Sequence, residues 1–300
     1  MRAWPFNKPK TPGFGISQSF YYSVLSSSAQ LPRLRELANP KGEDGAVAGL
    51  PAKWHKDARR EEADLRMERG IYLITTPDLK TAVKLMVVPK EEAGFDPEAF
   101  LRSSLAAGID AERANRIKAT WTLLQLSFAS YDPMVYPAID FMQQIAVRAG
   151  ALTDGVIADP VAQRYLMPEE LILPARSNPL IDSREHVSVG FATGTDGMHA
   201  FTAGMQKFVG DAGNALPEFE IYGLEERLFP EAEAVLAGLC QAVLLGKKIR
   251  LGDTVGSADG MLEVRQGGLD RARWEGIAVF ELIPPRGKSL SEAIQSMARE

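Results

Sequence analysis

The sequence predicts an α+β fold made of two related ββαβα-type units, each with a small antiparallel or mixed sheet and helices packed on one face. Two patterns carry this prediction: short runs rich in β-branched residues, and stretches with apolar residues every three or four positions. Both patterns occur in the same order in residues 71–150 and 186–245. This repeated order predicts an internal duplication.

In the first half, β-branched runs at 71–75 and 82–88 are separated by Pro77 and Asp78, which are typical turn residues. The two runs therefore predict a hairpin. The elements that follow are a helical stretch (97–118), a strand (121–128) and an amphipathic helix that opens at Tyr136-Pro137 and ends at Gly150.

The second half begins with runs at 186–193 and 198–203 on either side of Thr195-Asp196-Gly197, which favours a tight hairpin. Residues 219–222 alternate like a half-buried strand. A second helix opens at Phe229-Pro230 and places its apolar residues on one stripe, at positions 232, 235, 236, 239, 240, 243 and 244.

Glycine and proline clusters divide the chain into four parts. Residues 1–52 form a basic arm with a Gly/Pro-rich loop and at most one helix, near 18–30. Residues 53–167 are the first α+β unit, 168–184 a linker, and 185–300 the second unit with a β-rich end. Because the loop separates the arm from the first strong strand signal, we expect residues 1–52 to be dispensable for the fold.

Composition indicates an ordinary globular protein, and the single cysteine favours a reducing cytoplasm, with a disulfide-free exported protein as the alternative. The chain has 300 residues, 45% of them hydrophobic, and a net charge of −5. No apolar run is long enough to span a membrane, and the N-terminus lacks the pattern of a secretory signal. The single cysteine, Cys240, cannot form an internal disulfide.

Charge is uneven, since residues 1–69 hold 12 Lys or Arg against 8 Asp or Glu. The favoured interpretation is that this basic arm packs on the acidic remainder of the chain. The alternative is that the arm binds nucleic acid or anionic lipid, but its interleaved acidic residues and the negative net charge of the chain argue against this.

Common catalytic and cofactor motifs are missing from the sequence. The glycines match neither a Walker loop nor a dinucleotide fingerprint, and no G-x-S-x-G occurs. The three histidines, His55, His186 and His199, are too few for most zinc sites unless carboxylates contribute. We therefore expect no metal and no cofactor, and we expect Cys240 to be a buried core residue rather than a nucleophile.

One polar cluster is a candidate ligand or partner site. Asp159-Pro160 follows a probable strand, which predicts Asp159 as a helix N-cap with Arg164 and Tyr165 projecting from the first turns. A purely structural role, with an Arg–Glu pair buttressing the connection, is the alternative. His199 is added as a further candidate.

Short motifs in the second half resemble bacterial domains of unknown function. In those domains a Gly-Met-x-x-Phe turn leads into a Pro-Glu-hydrophobic-Glu strand, as residues 204–208 and 217–221 do here. Val209 stands where a glycine would usually follow Phe208. The resemblance implies a bacterial, cytoplasmic α+β protein and brings no known activity or catalytic residue.

The favoured hypothesis is a non-enzymatic binding or protein–protein interaction module, with a protein partner or self-association and a small-molecule ligand as a further option. It rests on the missing catalytic motifs. The alternative is a hydrolase or transferase that uses carboxylates such as Asp132, Asp154 or Asp159, with Arg164 binding an anionic substrate. Nucleic-acid binding through the basic arm is a third, minor hypothesis.

Overall fold

The structure is a computed structural model that describes residues 15–17, 20–38, 65–75, 80–131, 138–171, 181–194, 197–210, 213–256, 260–271 and 273–298. The chain divides into two compact units. We call Gln18–Leu180 the N-terminal unit, and Ile181–Glu300 together with Met1–Ser17 the C-terminal unit. The division falls inside the segment 168–184 that the sequence predicts to be a linker.

The described residues contain six α-helices and fourteen strands. The helices are α1 (Leu34–Ala38), α2 (Pro97–Leu101), α3 (Ala111–Lys118), α4 (Ala138–Thr153), α5 (Phe229–Leu244) and α6 (Leu290–Met297). The strands are β1 (Gly15–Ile16), β2 (Tyr21–Ser26), β3 (Gly70–Thr75), β4 (Ala82–Pro89), β5 (Thr122–Ser130), β6 (Val156–Asp159), β7 (Arg164–Leu166), β8 (Ser188–Gly194), β9 (Gly197–Ala203), β10 (Phe208–Val209), β11 (Glu218–Leu224), β12 (Thr254–Gly256), β13 (Met261–Gln266) and β14 (Val279–Ile283).

The N-terminal unit is built on a six-stranded antiparallel sheet in the order β3-β4-β5-β2-β6-β7. β2 lies inside this sheet, where Val24 pairs with Leu124 on one side and with Ile157 on the other. The predicted helix near 18–30 is therefore wrong. Residues 20–38 belong to the unit rather than to a separable arm, because Tyr22 and the serines of β2 are buried between two neighbouring strands.

Helices cover both faces of this sheet. On one face Ile117 of α3 packs in a cluster with Leu25, Leu123 and Val156. On the other face α4 approaches so closely that a Cβ at Gly150 would lie 3.3 Å from Cγ1 of Ile157. Helices on a single face, as the sequence predicts, are thus not what this sheet has.

The C-terminal unit contains a second six-stranded sheet, in the order β12-β13-β14-β11-β9-β8, together with the short pair β1–β10. β11 and β14 run parallel, and the other neighbours are antiparallel. α5 packs on this sheet with seven buried positions, all of which the sequence predicts: 232, 235, 236, 239, 240, 243 and 244. α6 packs beside it, against the end of β12–β13.

The predicted α+β class with small antiparallel or mixed sheets is confirmed. Both units contain a hairpin, a third strand next to the second strand of that hairpin, and a helix of 16 residues. They differ in the next strand, since β2 runs antiparallel to β5 whereas β14 runs parallel to β11. The internal duplication accordingly stays a prediction.

Some predictions fall outside the described residues. They concern the turn at Pro77-Asp78, the turn at Thr195-Asp196, His55, Asp132, the Gly/Pro-rich loop at 39–51, and residues 172–180 of the linker. Among the described residues, no helix combines the length and the apolar character that crossing a bilayer would require.

Candidate functional site

Asp159 and Arg164 face each other across the β6–β7 hairpin. The Asp159 carboxylate accepts a hydrogen bond from the backbone N–H of Ala162 at 3.1 Å. The prediction that Asp159 is a helix N-cap is therefore wrong. Its side chain does accept a hydrogen bond from the backbone three residues ahead, but the turn that this bond stabilises leads into a strand, not into a helix.

Two further polar residues lie near this pair. Continuing the β2–β6 register by one position places Tyr22 opposite Asp159. Burial raises the pKa of the Tyr22 hydroxyl well above its usual value, and the charges of Asp159 and Asp140 raise it further. The cluster formed by Tyr22, Asp140, Asp159 and Arg164 thus combines two carboxylates with one guanidinium inside the unit.

Tyr165 does not join that cluster, because neighbouring residues of a strand point to opposite faces. It packs against Phe100 with ring centroids 5.2 Å apart. Burial raises the pKa of its hydroxyl to about 12. The Nε–H of Arg113 donates to the Tyr165 carbonyl oxygen at 2.9 Å, which anchors β7 to α3.

The predicted Arg–Glu buttress exists with other arginines. Arg113 bonds to Glu170, and Arg116 lies 3.5 Å from Glu169.

Arg116 also pairs with Asp154 at 2.9 Å, on the exposed surface. Asp154 is thereby engaged in a surface ion pair, so of the two described carboxylates in the hydrolase hypothesis only Asp159 lies next to Arg164.

His199 lies in the C-terminal unit, on β9, with 4% of its surface exposed. Its Nε2 is 3.2 Å from Oε2 of Glu220, and its ring stacks on Tyr222 with centroids 4.1 Å apart. The geometry thus contains an oriented His–Glu pair, an arrangement that can serve either structure or proton transfer.

Glu220 is the centre of this second cluster. Its Oε2 accepts from Trp274 Nε1 at 2.9 Å and from the Tyr222 hydroxyl at 3.3 Å, while its Oε1 accepts from the N–H of Gly268 at 2.7 Å. Together with His199, four groups from β9, β11 and the segment after β13 converge on one buried carboxylate. Such convergence ties that segment down over the sheet.

Neighbouring groups respond to this buried charge. Burial raises the pKa of the Tyr222 hydroxyl to about 12, and Glu220 adds to the effect. Glu281 on β14 also has a raised pKa, first through burial and then through repulsion by Glu220. Above the same sheet face the Arg273 guanidinium lies 4.1 Å from the Phe201 ring centre.

Sequence reasoning missed Tyr22, Asp140, Glu220 and Trp274. Tyr22 was missed because the sequence predicted a helix near residues 18–30 where the structure has β2. Glu220 sits in a strand whose alternation places its glutamates on the presumed solvent side. A signal for it does exist, since Gly267 and Gly268 stand where the chain must approach the carboxylate, and a Cβ at Gly267 would lie 2.5 Å from Glu220 Oε1.

Another buried carboxylate, Glu218, lies near Cys240. It accepts from the Thr202 hydroxyl at 2.7 Å and from the N–H of Gly204 at 2.9 Å, and burial raises its pKa. Burial, followed by the charge of Glu218, raises the pKa of the Cys240 thiol well above its usual value. This environment disfavours the thiolate, so Cys240 is a core residue, as predicted.

The candidate residues therefore divide between two separate clusters: Asp159 and Arg164 with Tyr22 in the N-terminal unit, and His199 with Glu220 in the C-terminal unit. Asp159 and Glu220 are both buried, and each accepts a hydrogen bond from a backbone N–H. No family model, no curated protein and no solved structure matches this chain.

Proposed function

We propose that this chain is a non-enzymatic binding or protein–protein interaction module of a bacterial cytoplasmic protein, and that it contacts its partner through the outer part of the N-terminal sheet. The observation that carries the proposal is an exposed apolar surface on the strand at the sheet edge. Ile71 and Leu73 of β3 are 68% and 53% exposed.

This surface has a defined position on the sheet. Ile71 pairs with Met86 and Leu73 with Lys84, so the four side chains form two adjacent rows on one face. We call them the β3 face. The opposite face of the same strands is buried, because Ile74, Val83 and Leu85 lie there at 1% exposure or less. Apolar side chains exposed together, with a charged residue at the border, are typical of protein-binding surfaces.

The two polar clusters are better suited to stabilising the fold than to binding a ligand. Asp159 is 1% exposed and already accepts a backbone hydrogen bond, and the carboxylate of Glu220 has four hydrogen-bonding partners. A carboxylate-dependent hydrolase or transferase acting on an anionic substrate would need Asp159 and Arg164 to reach that substrate. The burial of Asp159 and its backbone bond favour the interaction module over this alternative.

A peptide-display experiment tests the proposal. Random peptides displayed on phage are selected against the full chain, and the enriched sequences are titrated against Leu73→Lys and Leu251→Lys. Leu251 is a matched control because it has the same 53% exposure and lies in the C-terminal unit. We expect peptide affinity to fall about tenfold or more for Leu73→Lys only, since a charge at an apolar contact costs more than about 1.4 kcal/mol.

Two results would contradict the proposal. Peptides that bind Leu73→Lys as tightly as the unaltered chain would place the binding surface elsewhere. Turnover of phosphate or carboxylate esters that is lost in Asp159→Asn would instead support the hydrolase alternative.

A further inference from the structure

We infer that the occupant of the β3 edge is a second copy of this chain, joined by antiparallel pairing of β3 with β3 about a two-fold axis. This inference rests on the proposed function and adds the identity of the partner. It starts from the backbone, because β3 is the outermost strand of the described sheet. The outer N–H and C=O groups of an edge strand are a template for another strand.

The six residues of β3, Gly-Ile-Tyr-Leu-Ile-Thr, include neither the charges nor the prolines that commonly protect a sheet edge. Of the other edge strands of the two six-stranded sheets, β7 and β12 have three residues each, and β8, which also has no charge, exposes none of its large apolar side chains among the described residues. Proteins blunt free edges with short strands, charges, prolines or a covering helix or loop, so a six-residue apolar edge without charge or proline is a template for pairing with another strand.

The strand is also self-complementary. A two-fold axis normal to the sheet must pair residues that point to the same face, because it leaves the two faces unchanged. The register that places Tyr72 opposite Tyr72 of the other copy meets this condition. It also sets Ile71 of each copy opposite Leu73 of the other, so the two β3 faces merge into one apolar strip.

Charge at the strand ends favours the antiparallel arrangement. Glu68 and Arg69 precede β3, and Arg69 is ion-paired with Glu92 at 2.9 Å, so these three side chains together carry a net negative charge. Lys80 lies just before β4, whose first residue pairs with the last residue of β3. Antiparallel pairing brings the Glu68 end of one copy to the Lys80 end of the other. Parallel pairing would set like ends side by side.

The proposed β3–β3 contact is small, and this limits the affinity of the dimer. A standard protein interface buries roughly 800 Å² per partner, and a six-residue edge offers less. Cross-strand apolar pairs contribute on the order of 0.2–1 kcal/mol each. We therefore expect a reversible dimer whose population rises with protein concentration.

Sedimentation velocity of the full chain, from roughly 1 μM to roughly 200 μM, tests the association in the range where small interfaces dissociate. We expect a monomer–dimer equilibrium. Leu73→Lys should weaken it about tenfold or more, because the new charge lies beside Lys84 and opposite Ile71 of the other copy, whereas Leu251→Lys should leave it unchanged. Circular dichroism checks that each variant is folded.

Disulfide trapping tests the register. In the proposed dimer the two Tyr72→Cys thiols lie in directly paired positions, with Cα atoms about 4.5–5.5 Å apart, a distance that a disulfide can bridge. Thr75→Cys is the matched control, because its two thiols would lie about 20 Å apart along the strands. Cys240 is buried and does not compete. Oxidised glutathione should cross-link Tyr72→Cys into dimers and leave Thr75→Cys monomeric.

A monomer at every concentration, or a dimer that Leu73→Lys leaves intact, would overturn the inference. So would cross-linking of Thr75→Cys as fast as Tyr72→Cys. These failures are distinct from failure of the proposed function. A monomeric chain whose peptide binding still depends on Leu73 would keep the interaction module and remove only the second copy as partner.

Discussion

The pKa of Glu281 makes the stability of the protein depend on pH. This pKa is raised above the ordinary value of 4.5 by burial and by the neighbouring Glu220. A carboxyl whose pKa is raised on folding binds its proton more tightly in the native state. Its contribution to stability is therefore complete below pH 4.5 and is lost as the pH rises through the raised value.

Replacing Glu281 with Gln should remove this pH dependence. We expect the free energy of unfolding of Glu281→Gln to exceed that of the unaltered chain at about pH 7, because the cost of burying the charge and its repulsion with Glu220 both disappear, and the two to converge at about pH 4. Urea unfolding between these pH values measures it. The exposed Glu275 provides the control variant, Glu275→Gln. A difference that stays constant with pH would contradict the assignment.

Cys240 should react slowly with thiol reagents while the protein is folded. The side chain is fully buried, and burial together with Glu218 raises the thiol pKa, so both access and thiolate are disfavoured. Labelling with a chromogenic disulfide should become rapid and stoichiometric only in denaturant. Fast labelling of the native chain would mean that α5 exposes this face.

At the scale of single elements, the two 16-residue helices provide a matched pair of glycines. A Cβ added at Gly238 in α5 would have no neighbouring atom within 4 Å, whereas a Cβ at Gly150 in α4 would meet Pro168 Cγ at 2.9 Å and the Gly155 carbonyl oxygen at 3.2 Å. Gly238→Ala should therefore stabilise the protein by about 0.5–1 kcal/mol, since alanine restricts the unfolded chain.

Gly150→Ala should instead destabilise the protein by roughly 1–3 kcal/mol, because close contacts with backbone and ring atoms outweigh the gain in helix propensity. Urea unfolding midpoints of the two variants provide the measurement. Equal stabilisation of both would show that α4 can move away from β6 without cost.

β2 is the element whose structure departs most from the sequence-based expectation. A chain that starts at Lys53 lacks the strand joining β5 to β6, which pairs through six residues on one side and three on the other. We expect this truncated chain to be insoluble or to melt without cooperativity. Thermal melting followed by circular dichroism decides the matter, and a cooperative transition close to that of the full chain would show that β5 and β6 close without β2.

At the scale of the whole molecule, charge predicts weak affinity for nucleic acid. The net charge is −5, and the excess of basic residues within 1–69 is interrupted by acids. Binding to DNA depends on basic groups that displace counterions from phosphates. Fluorescence anisotropy with a labelled duplex at physiological salt should show no binding below about 1 μM, the tight end of typical non-specific affinities. Tighter binding that weakens steeply with salt would support the hypothesis that the basic arm binds nucleic acid.

The absence of a metal likewise stays a prediction at this scale. Elemental analysis of the purified chain would check it, and about one zinc or iron per chain would contradict it.

Local pattern was enough to predict the elements whose burial is decided by their own periodicity. α5 buries the seven positions that the helical repeat selects, and the β3–β4 hairpin has the predicted strands. Such elements are readable because one face meets the core and the other meets water, so the sequence alternates with the structure. β2 departs from this rule, since it is buried on both faces and has no alternation to read.

The sequence by itself thus determined the α+β class, the two long helices and the burial of Cys240. Tertiary structure decided that β2 enters the middle of a sheet, that Asp159 stabilises a hairpin turn, and that Glu220 is buried. The reason is physical: a strand shows its alternation but not what covers each face. Glu220 accepts hydrogen bonds from Gly268 and Trp274 only because these residues, some fifty positions away, fold over it.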